Sequence, residues 1–381
     1  MALKALASVA IVLFLLEAGF RLVSPVLRPP AFYNYQSDFW QSFDNPVWEV
    51  WHLPNKNVVH ETACFTAHYS SNSLGMKDKP RSFEKKGLRV AVLGDSFTEG
   101  YGVDNSETFT SRLEEKLFAG QGIEFLNFAT SGSFGTVQEW LLYKDFVRKF
   151  KPDVVLVLFL NNNDVTDNSW WYWQRLAPER RRPYLVRNGG RFELFYPEST
   201  SPYNPATRLN VLLNDLSHRS FTVRYLGDSL QRVQVNRLFS EMDWRRTTVY
   251  RAHPDDRWRE AWDVTEDAFV KLNQEVTADD AKLVIVDIAS PEQVDPGTAQ
   301  QIQRLPDHDI FYPSSRLKKF AKAQGIAYFS LYPDFVRYRD DNKLRRPYFS
   351  FRCNDHWSPL GHEVAAQSLA NYLKTSGLLG Q

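Results

Sequence analysis

The sequence predicts a doubly wound α/β fold on a five-stranded parallel sheet, with a large insertion after the third strand and an N-terminal transmembrane helix. Three observations point there. Short apolar runs alternate with segments whose apolar residues recur every three or four positions, as strands alternating with amphipathic helices do. The run Val154 to Leu160 is apolar throughout, as a central parallel strand buried on both faces requires. Another run, Leu88 to Leu93, leads directly into Gly94-Asp95-Ser96-Phe97-Thr98-Glu99-Gly100, at the strand end where such sheets present reactive groups.

The N-terminal stretch is charge-free from Ala5 to Leu16 and regains apolar character around Glu17 and Arg21. As a whole it is just long enough to cross a bilayer of about 30 Å. It offers no small-residue pair for signal cleavage, so residues 1–24 are expected to be an uncleaved anchor. Lys4 on one side and Arg21 and Arg28 on the other leave its orientation open. A carboxylate in hydrocarbon costs about 2.5–3.5 kcal/mol, so Glu17 is read either as reaching the interface or as pairing with another membrane protein. Pro25, Pro29 and Pro30 end the helix. Residues 25–86 then read as a linker and irregular aromatic segment, and residues 87–381 as one domain with an insertion over 165–255.

Within that domain, Phe109, Leu113 and Leu117 mark a helix capped by Asn105 or Ser106. Ile123 to Phe128 is the second strand, followed by a helix with Trp140, Tyr143, Val147 and Phe150 on one face. The insertion opens on Trp170-Trp171-Tyr172-Trp173, which fits a lid, an apolar wall for an acyl chain or glycan, or an interfacial anchor. It continues with Arg180-Arg181-Arg182, a solvated face or a contact for anionic headgroups, and a hairpin turning at Asn188-Gly189-Gly190. Trp258, Trp262, Thr265, Phe269, Leu272 and Val276 mark the next helix, followed by the strand Leu283 to Ile288. A helix around Leu317 to Ala323 stops at Gly325 before the fifth strand, Ile326 to Leu331. Ser358 and Pro359 open the last helix, which continues through Ala365, Leu369 and Tyr372.

Composition narrows the partners. The 46 Lys and Arg against 45 Asp and Glu leave a net charge of +1, so no global field draws the chain to nucleic acid. Cys64 and Cys353 are too few for a disulfide framework and too far apart for a zinc pattern. Two thiols or one disulfide bracing the loop before His356 both remain open. His60 and His68 lack one-turn metal spacing, and no metal or cofactor is expected.

Gly-Asp-Ser alone is a weak signal, and the chain holds two. The second, Gly227-Asp228-Ser229, follows Arg224-Tyr225-Leu226 with no buried strand before it and reads as chance. The first sits between an apolar strand and a helix. With three later blocks it resembles the SGNH (GDSL) hydrolase family: Ser96 in GDSFTEG, Gly132 in NFATSGSFGT, Asn163 in NNND and His356 in NDHWSPLGH. The resemblance covers nearly all of the chain beyond the linker. It extends to long, membrane-anchored bacterial members, some of whose relatives handle O-acetyl groups on exopolysaccharides.

That resemblance implies an SGNH/flavodoxin-like sandwich. It implies Ser96 as nucleophile, His356 as base, and an oxyanion hole from the N–H groups of Ser96 and Gly132 and the side-chain amide of Asn163. Two departures stand out. Asn161 replaces the first glycine of the third block. The triad Asp, normally two or three residues before the His, is replaced by Asn354 and Cys353, with Asp355 immediately adjacent to His356. Adjacent side chains rarely meet, so three readings stay open: Asp355 orients His356, Asn354 or a backbone group does so, or the site is inactive.

The expected function is a membrane-anchored serine esterase or O-acyltransferase acting on an ester of a lipid or polysaccharide through an acyl-serine. The alternative is a catalytically weak scaffold docked onto a membrane-protein assembly. Family precedent puts the domain on the periplasmic side of a single-pass anchor.

Overall fold

A computed structural model describes residues 2–23, 39–62, 64–176, 180–197, 216, 220–223, 247–352 and 354–380. The second Gly-Asp-Ser, at 227–229, and Cys353 lie outside them. The chain divides into two compact units, residues 1–33 with 198–245, and residues 34–197 with 246–381.

In the first unit the N-terminal segment is helical from Ala2 to Val23. The expectation of a membrane-spanning anchor does not hold: no described helix is long and apolar enough to cross a membrane. Charge is the physical reason. Lys4, Glu17 and Arg21 bracket an uncharged stretch, Ala5 to Leu16, that extends roughly 18 Å as helix, against about 30 Å of hydrocarbon. Glu17 has its partners within this unit. It pairs with Arg21 at 2.9 Å and accepts hydrogen bonds from the Ser220 and Thr222 hydroxyls and the Phe221 and Thr222 N–H groups. Those donors, the Thr222 N–H foremost, hold its carboxyl down at about 2.

The second unit carries the sheet. Strands β1 (Leu88–Gly94), β2 (Ile123–Asn127), β3 (Val154–Leu160), β4 (Lys282–Ile288) and β5 (Ala327–Ser330) are all parallel, in the spatial order β5-β4-β3-β1-β2. The winding reverses between β1 and β3, so a crevice opens beyond their carboxyl ends, the switch point at which such sheets bind ligands. Every residue of β3 is buried, as its unbroken apolar run requires.

Five helices matter for the site: α1 (Ser96–Glu99), α2 (Thr136–Asp145), α3 (Asp256–Ala278), α4 (Tyr312–Gln324) and α5 (Pro359–Thr375). The face of α3 from Trp258 through Val276 is buried, and α4 ends on left-handed Gly325. The helix expected around Phe109 differs in detail. It runs from Phe109 to Arg112 into a wider turn over Leu113–Leu117, and its cap is Thr108, whose hydroxyl accepts from the Ser111 N–H.

Within the stretch 25–86, read from the sequence as linker and irregular segment, residues 39–62 and 64–79 are described and include strands. The strands pair as two hairpins, Trp40–Asn45 with Glu49–His52 and Asn57–Glu61 with Thr66–Ser70. Phe39, Trp48, Val50, Trp51 and Tyr69 are buried within the second unit. In the insertion, Tyr184–Asn188 pairs with Arg191–Phe195 across Gly189-Gly190, both at positive φ as a two-residue turn demands.

Candidate active site

Ser96 is presented by a tight exit from β1. Gly94 sits at φ +155°, and a Cβ there would fall 2.2 Å from the Thr98 hydroxyl, so the turn admits only glycine. Asp95 then caps α1, its Oδ1 accepting the Phe97 N–H at 2.9 Å. Its Oδ2 accepts one N–H of the Asn163 amide at 2.9 Å, joining the ends of β1 and β3. Burial pushes the Asp95 carboxyl up to about 6.

His356 comes from the other end of the chain, on a two-stranded ribbon of Ser350–Phe351 and Asn354–Trp357. Its ring lies between Phe97 and Tyr101, with centroids 4.8 and 4.5 Å away. Nε2 lies 2.7 Å from Ser96 Oγ. At the opposite ring nitrogen, Nδ1 hydrogen-bonds Asn354 Oδ1, which also accepts the His356 backbone N–H at 2.9 Å. Asn354 thus stands where a triad carboxylate is expected. Side chains alternate along a strand, which turns Asp355 to the other face. There it lines a cleft of about 550 Å³ with Glu292, Arg346, Tyr348, Arg352 and Trp357.

Gly132 lies beyond β2 at φ +105°. Its carbonyl accepts from Arg180, which also grips the buried Glu49 carboxylate through two hydrogen bonds of 2.6 and 2.9 Å. Gln138 donates to the same carboxylate. Arg180 and Arg182 are therefore not a solvated face: both are buried, stacked 4.7 and 4.8 Å from the Trp173 ring. Tyr172 and Trp173 are likewise buried, and Trp170 packs edge-on against Tyr184 and Phe195 of the hairpin.

Beneath the site lies a set of buried acids that sequence reasoning did not single out: Asp95, Glu139, Asp164 and Asp167. Neither Glu139 carboxyl oxygen has a hydrogen-bond partner among the described residues. Burial, reinforced by the neighbouring carboxylates, pushes Glu139 and Asp164 well above the carboxylate range, and burial takes Asp167 to about 7. His60 is a core residue on the Tyr69 hydroxyl, held down at about 4 by burial, and His68 is exposed. Cys64 is disulfide-bonded.

Also unanticipated are Glu49, His52, Glu99 and Gln138, buried around the Gly132 loop together with Arg180, which was read for another role. Only Glu99 carried a local signal. It lies three residues after Ser96, on the same side of a one-turn helix.

Comparison with known proteins gives the family. The profile of the GDSL-like lipase/acylhydrolase family matches residues 92–364, which contain Ser96, Gly132, Asn163 and His356. An acetylxylan esterase from Xylanibacter ruminicola is 34% identical over 92 residues, covering 22% of this chain. The match spans only 18% of that esterase's own length. Among solved structures, the acetyl xylan esterase AlAXEase is 14% identical with a TM-score of 0.41, covering 75% of this chain and 100% of that one. A catalytic mutant of an acetylxylan esterase from Geobacillus stearothermophilus is 13% identical with a TM-score of 0.39, covering 78% and 97%.

Proposed function

The chain belongs to the GDSL-like lipase/acylhydrolase family, and from that premise we propose that it is a serine esterase removing acyl groups, acetyl foremost, from a polysaccharide. The observation carrying this reading is the 2.7 Å contact of Ser96 Oγ with His356 Nε2, backed by Asn354 on Nδ1.

In the proposed reaction Ser96 Oγ attacks the ester carbonyl carbon while Nε2 of His356 takes its proton. The oxyanion is met by the N–H groups of Ser96 and Gly132 and by the Asn163 amide. That amide has two N–H bonds, and Asp95 engages one, leaving the other for the oxyanion. Each such donor contributes about 3–4 kcal/mol to the transition state. The tetrahedral intermediate collapses, the C–O bond to the sugar breaks, and the departing alkoxide takes the proton from His356. Water, deprotonated by the same nitrogen, then attacks the acyl-serine; the acyl bond to Oγ breaks, Ser96 recovers the proton from His356, and the carboxylic acid leaves. A sugar hydroxyl in place of that water would make the same site an O-acyltransferase.

The scaffold alternative drew on the displaced Asp355 and on Glu17. It drew also on the Trp-rich insertion, and against it stand Asn354 on Nδ1, the contacts of Glu17 with Ser220 to Thr222, and the burial of Tyr172 and Trp173. The test is acetate release from acetylated xylan and from p-nitrophenyl acetate by the full chain and by Ser96→Ala. Turnover lost in the variant supports the proposal. Equal background release from both contradicts it.

A further inference from the structure

A second buried network adjoins the nucleophile turn, and the chemistry above does not use it. Glu99 closes α1 and is fully buried. Its Oε1 lies 2.8 Å from His52 Nε2, and its Oε2 accepts a hydrogen bond from the Ser131 hydroxyl. His52 Nδ1 in turn lies 2.8 Å from the Gly75 carbonyl oxygen. A Cβ on Gly75, at φ +78°, would lie 2.5 Å from the His52 carbonyl oxygen, so glycine is required for this approach.

The proton count follows from these partners. A carbonyl oxygen only accepts, so Nδ1 carries a hydrogen. The contact between Nε2 and Oε1 must then hold a second proton, as imidazolium with carboxylate or as imidazole with carboxylic acid. In both forms Oε2 stays an acceptor for Ser131. The pair is neutral overall, which lets it sit wholly buried without the penalty of an isolated charge.

Its position gives it a role. Ser131 immediately precedes Gly132, while Glu99 shares a single helical turn with Ser96, its N–H bonded to the Asp95 carbonyl at 2.9 Å. The Asn127 amide, at the end of β2, also donates to the Glu99 carbonyl. The two residues are thus held on either side of the Gly132 N–H, Ser131 by Glu99 through its hydroxyl and Gly132 by Arg180 through the carbonyl of the following peptide.

We propose that Glu99, supported by His52, is a positioning residue: through Ser131 it holds the Gly132 N–H in register with Ser96. The proposal rests on the reading of Ser96 as nucleophile and Gly132 as oxyanion donor.

The test uses the purified full chain, Ser131→Ala, Glu99→Gln and Ser96→Ala. It follows p-nitrophenyl acetate turnover, inhibition by benzeneboronic acid as a tetrahedral mimic, and thermal melting. A shifted oxyanion donor predicts that kcat falls about tenfold to a hundredfold with KM nearly unchanged. Boronate affinity should fall by the same factor as kcat/KM, a parallel that loss of stability alone does not produce. Wild-type kcat and boronate affinity in both variants, whatever their melting points, would overturn the proposal. Turnover that still vanished in Ser96→Ala would in that case leave the esterase reading standing. Wild-type turnover insensitive to Ser96→Ala would overturn the reading beneath. Should Glu99→Gln fail to fold, Ser131→Ala decides by the same two readouts.

Discussion

Asn354 is the position at which the proposed chemistry departs furthest from a charged triad, and substitution there has a calculable effect. Exchange of the triad Asp for Asn in serine proteases costs about ten-thousandfold because the amide imposes the wrong tautomer on the imidazole. The geometry here removes that penalty. The His356 backbone N–H donates to Asn354 Oδ1 at 2.9 Å, and an amide nitrogen could not accept it, so the oxygen must face the ring. Nδ1 therefore carries the hydrogen, and Nε2 presents its lone pair to Ser96. What Asn354 lacks is charge. A hydrogen bond to a charged group contributes about 1.5–3 kcal/mol against about 0.5–1.5 for a neutral one. Asn354→Asp should therefore favour the imidazolium-like transition state by about 1 kcal/mol, raising kcat/KM roughly fivefold. The acid limb of the pH–rate profile should move to higher pH. Asn354→Ala loses both clamp and tautomer and should cost about a hundredfold or more. The assay is p-nitrophenyl acetate turnover from about pH 5 to 9, with melting curves to confirm folding. An Asn354→Ala variant within about threefold of wild type, or an Asn354→Asp variant that lost activity by orders of magnitude, would refute the assignment of the clamp.

Other outcomes follow from the buried charges. Burial raises Asp95 to about 6 and Asp167 to about 7, and holds Glu139 and Asp164 well above the carboxylate range. Stability from such acids is complete below the ordinary carboxylate range and is lost as pH rises through the folded values. His60 and His362, lowered by burial, act oppositely, and only below their ordinary value of 6.5. The thermal midpoint should thus fall as pH rises from about 6.5 toward 8, where Lys77, lowered by burial to about 8, begins to act oppositely, and Glu139→Gln should flatten that fall, whereas a flat or rising wild-type curve over that range would contradict the burial argument. Glu49→Gln removes the charge from a buried pair and should destabilise by about 3–5 kcal/mol in urea unfolding, with kcat reduced through the Gly132 loop. An unchanged midpoint would show that Arg180 needs no counter-charge. Cys64 is disulfide-bonded and Cys353 is the only other cysteine in the sequence. Reduction should therefore cost about 2–4 kcal/mol, and non-reducing peptide mapping that found both thiols free would contradict the bond.

The sheet was legible because burial on both faces leaves a plain mark: Val154 to Leu160 has no polar position, and all of it is buried. The proposed reacting groups could be picked out because each sits at the end of a strand or just before a helix, in a block with its own local chemistry. Ser96 and His356, 260 residues apart, meet at 2.7 Å. The supports were not legible. Glu49, His52 and Arg180 come from hairpin and insertion segments whose partners lie tens of residues away, and no periodicity connects them. Arg180-Arg181-Arg182 looked like a solvated run, since charge alone does not reveal that Glu49 and Trp173 wait to receive it. The N-terminal helix shows the opposite error. Its apolar composition suggested a span, while Glu17 is held by hydrogen bonds from Ser220 to Thr222 that sequence spacing does not announce.

The central claim is that Ser96 is an activated nucleophile. Its most direct test is labelling of the folded full chain with a fluorophosphonate, read by intact mass and by peptide mapping. Stoichiometric addition at Ser96, absent in Ser96→Ala and strongly slowed in His356→Ala, is the predicted result. A folded chain that takes up no label, or takes it up at another residue, would contradict the account.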